Sequence, residues 1–194
     1  MGVTFDSKLK FDLHINEKVN KAYSILGLIH RNFRYLSSDS LVLLYKSLDR
    51  SQLEYGNCVW SPYRQTDIEK LEKVQKRATK MISHFSKTSY EDRLRLLNLP
   101  TLKYRRIRGD MIQVFKFICG LHDVDSVVKF NMHDNFCNTR GNIYKMQQAH
   151  VHYDLRKHFF TNRIINIWNS LPNIIVTSAS INLFKNRLDK FWAN

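Results

Sequence analysis

The stretch DIEKLEKVQKRATKMISHF, residues 67–85, constrains the fold more than any other. At about 100° per residue, Ile68, Leu71, Val74, Ala78, Met81, Ile82 and Phe85 gather on one side of a helix. Lys70, Lys73, Arg77, Lys80 and His84 gather on another side, centred about 140° away by the same arithmetic. The apolar side needs other helices to cover it, and the cations form a row rather than a ring. TDIE, residues 66–69, reads as a capping box, in which the Thr66 hydroxyl takes the Glu69 amide and the Glu69 carboxylate reaches back.

The same spacing organises much of the chain. Ile15, Val19, Ala22, Leu26, Ile29 and Phe33 recur at steps of three and four, which makes one long helical stripe. SSDS, residues 37–40, offers caps for a second helix that carries Leu41, Leu44, Tyr45 and Leu48. Gly56, Asn57 and Pro62 break it, because Gly and Asn tolerate positive φ and proline cannot continue a helix. A short helix over SYEDRLRLLNL ends before Pro100. Thr101 caps the next, with Tyr104, Ile107, Met111, Val114 and Ile118 on its seam and Arg105, Arg106 and Arg108 on its other faces. FFTNRIINIWNSLP reads as a helix stopped by Pro172, and SASINLFKNRLDKFW as a last helix capped by Ser178 or Ser180. Two stretches fall outside this pattern. Val3 and Phe5, then Leu9 and Phe11, alternate like the strands of a hairpin turned at DSK. Between Gly120 and His158 no long stripe persists, so an irregular linker is expected there.

Charge narrows the function. The 194 residues carry 31 Lys or Arg against 17 Asp or Glu, a net of +14, with 43% hydrophobic residues. That apolar share supports a core and argues against a disordered chain, while the excess charge suits a polyanionic partner. Between Lys70 and Lys116 stand thirteen Lys or Arg and four Asp or Glu, a net of +9. Cations at steps of three and four can track phosphates, and Arg adds bidentate contacts. A solvated helix face is the competing reading of the same row. No window reaches the roughly 18–20 apolar residues of a membrane span. Cys58, Cys119 and Cys137 are odd in number and far apart, which suits free thiols in an intracellular setting.

Catalytic signatures are sparse. No P-loop, G-x-G-x-x-G or H-E-x-x-H motif occurs, and Cys58 has no nearby histidine to activate it. Two-metal phosphoryl transfer needs clustered carboxylates, and the nearest approach is DVD, residues 123–125. Cys119, His122, His133 and Cys137 have the spacings of a zinc set, although the irregular order favours a packed thiol and loop histidines instead. Tyr55, Trp60 and Tyr63 surround a turn, where a core corner is a more economical reading than a base-stacking platform. No cofactor is expected.

Several segments then occur in a telling order: GVTFDSKLKFDLHI, LYKSLDRSQLEYGNCVWSP, DIEKLEKVQKRATKMI, SYEDRLRLLNLPTLKYRRIRGDMIQVFK, TRG, FFTNRIINIWNSLP and FKNRLDKFW. Together they resemble the region after the catalytic palm in the reverse transcriptase of jockey-like non-LTR retrotransposons. The likeness covers nearly the whole chain. In such polymerases the first segment usually opens tyrosine-leucine-glycine-valine, and here Met1 stands where the leucine would be. The resemblance implies a thumb-like helical bundle with a C-terminal extension, nuclear residence, and the palm domain and a template–primer duplex as partners. The paired catalytic aspartates belong to the palm, upstream of this region, and no Asp-Asp dipeptide occurs here. The chain is therefore expected to have no catalytic activity alone.

The expected fold is mainly α: hairpin plus thumb-like bundle over 1–119, irregular linker over 120–158, C-terminal helices over 159–194. The expected nucleic-acid contacts, extrapolated from charge, are Lys70, Lys73, Arg77, Lys80, Arg105, Arg106 and Arg108. A relic of a degraded element, a basic module for an acidic protein, and part of a full polymerase remain as alternatives.

Overall fold

In the computed structural model the described residues are 2–33, 35–82, 85, 87–121, 128, 130–132 and 142–193. The molecule is mainly helical, and its contacts divide it into two compact units, Met1–Ile107 and Arg108–Asn194. The division falls inside one helix, ahead of the boundary at residue 119 read from the sequence.

The first unit is built on α1 (Asp12–Asn32), where Ile15, Val19, Ala22, Leu26 and Ile29 of the expected stripe are buried, while Phe33, just past the helix end, is exposed. It packs against α5 (Gln65–Thr79), which buries Leu71, Val74 and Ala78. Each Leu, Ile or Val removed from water contributes roughly 1.5–3 kcal/mol and each alanine methyl less, so this pairing anchors the unit. Between them run α2 (Ser38–Leu44), a π-turn (Tyr45–Asp49), α3 (Arg50–Glu54) and α4 (Asn57–Trp60). Ser37 caps α2 by accepting from the Ser40 amide, and Gly56 takes φ 66° to start α4. Trp60 is buried at that corner and donates from Nε1 to the Tyr55 carbonyl at 2.7 Å. Tyr55 and Tyr63 stay exposed beside it. α6 (Tyr90–Leu96), capped by Ser89, and the start of α7 (Leu102–Ile118), where the Thr101 hydroxyl accepts from the Tyr104 amide, complete the unit.

Three local expectations need correction. No strand occurs among the described residues, so the N-terminal hairpin is not formed. The Asp6 carboxylate accepts from the amides of Lys8, Lys10 and Phe11, turning residues 6–11 into a compact loop with Leu9 and Phe11 at positive φ. Those amides are unavailable to a strand partner, and an isolated hairpin has little stability of its own. The Thr66–Glu69 capping box is also not made. α5 begins at Gln65, and the Glu69 carboxylate accepts from the Gln65 side chain at 3.0 Å. Leu48, expected on the buried seam, is 47% exposed. The π-turn spaces residues more widely per turn than an α-helix, and Asp49 comes inward in its place.

Among the described residues the second unit is formed by the rest of α7 and five helices: α8 (Asp154–His158), α9 (Phe160–Arg163), α10 (Ile165–Asn169), α11 (Asn173–Val176) and α12 (Ile181–Ala193). FFTNRIINIWNSLP is thus two short helices rather than one. Phe115 stacks on Phe184 with ring centroids 4.3 Å apart, and Trp168, Ile164 and Leu188 fill the core around them. Ser180, one of the two expected caps, accepts from the Leu183 amide. Met132 and Met146 form an isolated antiparallel bridge. Asn142 is buried and donates to the carbonyls of Trp168 and Leu171, tying the middle of the expected linker to α10 and the turn after it. No helix among the described residues is long and apolar enough to cross a membrane.

Candidate nucleic-acid interface

The seven cations expected to meet phosphate have different surroundings. Lys70 is held at home: its Nζ lies 2.8 Å from the buried Asp67 carboxylate and also donates to Asn16. Arg105 grips Glu54 with two donors, one from Nη2 at 2.8 Å. Arg108 grips Asp189 the same way, at 2.6 and 2.7 Å. Arg106 is buried, 4% exposed. Such forks hold the guanidinium in a fixed plane against its own carboxylate. Lys73, Arg77 and Lys80 differ in being exposed, and none of them makes an ion pair with a described residue. His84 lies outside the described residues.

Arg77 and Lys80 share a cleft of about 410 Å³ with the last turn of α1. Leu26, Gly27 and Met81 line it together with His30, Arg31, Arg77 and Lys80. Among the described residues no carboxylate contributes to the lining. The pairing of α1 with α5 creates it, because both helices end at the same corner and their late cations converge there. The Arg77 guanidinium lies over the Tyr23 ring, 5.4 Å from its centroid. That cation–π contact pre-positions the head group. Gly27 is a helix-interior glycine, a choice that costs about 1 kcal/mol relative to Ala. Among the described residues a Cβ built on it would meet nothing within 4 Å, so no described side chain requires a glycine there.

Lys73 borders a second cleft of about 400 Å³, whose lining mixes Lys76 and Lys103 with Glu69, Glu72 and Glu91. A buried polar chain backs it. Tyr45 donates to Gln75 at 2.7 Å, Gln75 donates to the Tyr90 hydroxyl and the Pro100 carbonyl, and Tyr90 donates to Glu72. Glu72 also accepts from the Leu102 amide at the start of α7. Burial, followed by the bond to Glu72, pushes the Tyr90 hydroxyl far above its ordinary value, so it remains protonated. With carboxylates interleaved, this cleft is a poorer anion site than the first.

Sequence reasoning missed His30 and Arg31. The signal was HRN at the end of the first stripe, but its meaning depended on α1 and α5 ending side by side. The zinc reading falls mostly on undescribed positions, since His122, His133 and Cys137 lie outside the described residues. So do Asp123 and Asp125. Cys119 is exposed just after α7, not packed on its seam. Among the described residues no three His, Cys, Asp or Glu stand close enough to hold a metal ion.

The fold is therefore a mainly helical one with a basic cleft to which no described carboxylate contributes. No protein-family model matches the chain, and no solved structure does. It is similar to a Caenorhabditis elegans protein described as "Uncharacterized protein B0403.1", 30% identical over 110 residues. The match covers 55% of this chain and 56% of that protein, so the chain spans about half the length of the curated relative it matches.

Proposed function

We propose that this chain is the thumb and post-thumb part of a mobile-element reverse transcriptase, binding nucleic acid through its backbone without catalysis of its own. The family origin rests on the ordered sequence segments given above. The binding reading rests on one observation: Arg31, Arg77 and Lys80 are exposed around a cleft to which no described carboxylate contributes. Phosphate contacts there are sequence-independent and release counterions, so affinity falls steeply with salt. A template–primer duplex is the expected ligand, the palm domain the expected protein partner, and the nucleus the expected location.

The test is binding of the purified chain to an RNA–DNA hybrid across a salt series, for the wild type and for Lys73→Glu/Arg77→Glu/Lys80→Glu. A log–log slope of several units that flattens in the variant supports the reading. An unchanged slope moves the interface elsewhere on the molecule. Absence of binding at low salt leaves the cation row a solvated face and the chain a relic.

A further inference from the structure

The cleft at the ends of α1 and α5 has a floor as well as a charged rim, and a row of phosphate-binding cations needs only the rim. Among the described residues the floor is Gly27 and Met81, next to the core residue Leu26, and nothing stands within 4 Å of a Cβ built on the glycine. Cations near helix C-termini often do no more than balance the carbonyl ends. Arg31 and Arg77 stand in the last turns of their helices and Lys80 follows directly. Each helix end carries only about half a negative charge, however, so two ends leave about two of the three positive charges in excess. Anion affinity therefore survives the helix ends. The glycine then needs its own reason, because alanine would strengthen α1 and would touch no described residue.

We infer that the cleft over Gly27 receives one unpaired nucleotide at a single-stranded end of nucleic acid, its base against Gly27 and Met81 and its phosphate among Arg31, Arg77 and Lys80. This inference rests on the proposed nucleic-acid binding and adds a preference for an unpaired end over a closed duplex. A base within a duplex hides its faces by stacking on its neighbours, whereas an overhanging base has both faces free for an apolar floor or a guanidinium plane. Arg77, steadied on Tyr23, supplies such a plane at little further ordering cost. The volume, about 410 Å³, lies within the range of pockets that enclose small organic groups.

Three labelled hybrids test this in fluorescence anisotropy with the full chain: blunt-ended, with a one-nucleotide overhang, and with the same overhang abasic. The last two carry the same phosphates, so electrostatics alone binds them equally. The wild type is expected to favour the base-bearing overhang on the order of fivefold or more. Gly27→Leu fills the floor and is expected to erase that preference between base-bearing and abasic overhangs, with a melting temperature no lower than the wild type. Equal affinity of the wild type for base-bearing and abasic overhangs overturns the inference and leaves backbone binding intact. So does a Gly27→Leu protein that keeps the preference. If none of the three hybrids binds in a salt-sensitive way, the functional reading fails, and this inference with it.

Discussion

Asp49 is the residue whose environment departs furthest from its chemistry. It is fully buried in the π-turn, and neither carboxylate oxygen has a hydrogen-bond partner among the described residues. Burial raises its pKa from 3.8 to about 7. Between those values the folded chain holds a proton that the unfolded chain has released, so stability drains away as pH rises from about 4 to about 7. Above pH 7 the penalty is complete, at most about 4 kcal/mol for a shift of that size. Asp49→Asn removes the ionisation. Its melting temperature relative to the wild type is expected to climb across that window and level off above it. A gap constant from pH 4 to 8 would mean that the carboxylate is solvated. His14 has a related predicament. Burial, reinforced by nearby Lys18, lowers its pKa, and its Nδ1 accepts from the Thr4 amide. Local sequence around Asp49 gives no sign of burial. Only the wider π-turn, which carries Leu48 outward, brings it inside.

Among the elements, α5 shows how one helix serves two purposes. One face holds the core, and within it Gln75 uses its amide at both ends, accepting from Tyr45 and donating to Tyr90 and Pro100. Gln75→Leu would leave a buried hydroxyl and a carbonyl without partners. It is expected to destabilise the first unit by on the order of 3 kcal/mol, read from the urea midpoint. In the second unit α7 and α9 are joined by Arg163, which donates to both oxygens of the buried Asp110 at 3.0 Å. Removing the acid strands a guanidinium with little access to water. Asp110→Ala is expected to cost roughly 3–5 kcal/mol by the same measurement, and an effect below about 1 kcal/mol would show that water reaches the arginine. Helices with long stripes, α1, α5 and α7, were legible because their period repeats over several turns. The N-terminal alternation was not, since Val3, Phe5, Leu9 and Phe11 fit a hairpin and an Asp6-centred loop equally well. Three amide bonds to one carboxylate decided between them.

For the whole molecule the governing quantity is charge, +14 in total. The first unit has 20 Lys or Arg against 11 Asp or Glu, and the second has 11 against 6, so both are basic. The triple reversal of Lys73, Arg77 and Lys80 should therefore reduce the salt slope by roughly 2–3 units, about 0.9 for each phosphate that is no longer neutralised, without abolishing weak low-salt association. A slope that falls to zero would mean that these three residues alone meet phosphate.

Sequence alone determined that this protein is mainly helical, strongly basic, and divided into amphipathic segments with cations on one face of residues 68–82. These properties follow from composition and from a local period, which a chain carries before it folds. Tertiary structure decided which cations are available. Arg105 and Arg108 are clasped by Glu54 and Asp189, residues far away in sequence. Arg31 joins Arg77 and Lys80 because two helices of different length end at one corner. Ion pairing and cleft formation depend on distances between segments remote in sequence, and no periodicity within a segment encodes those distances.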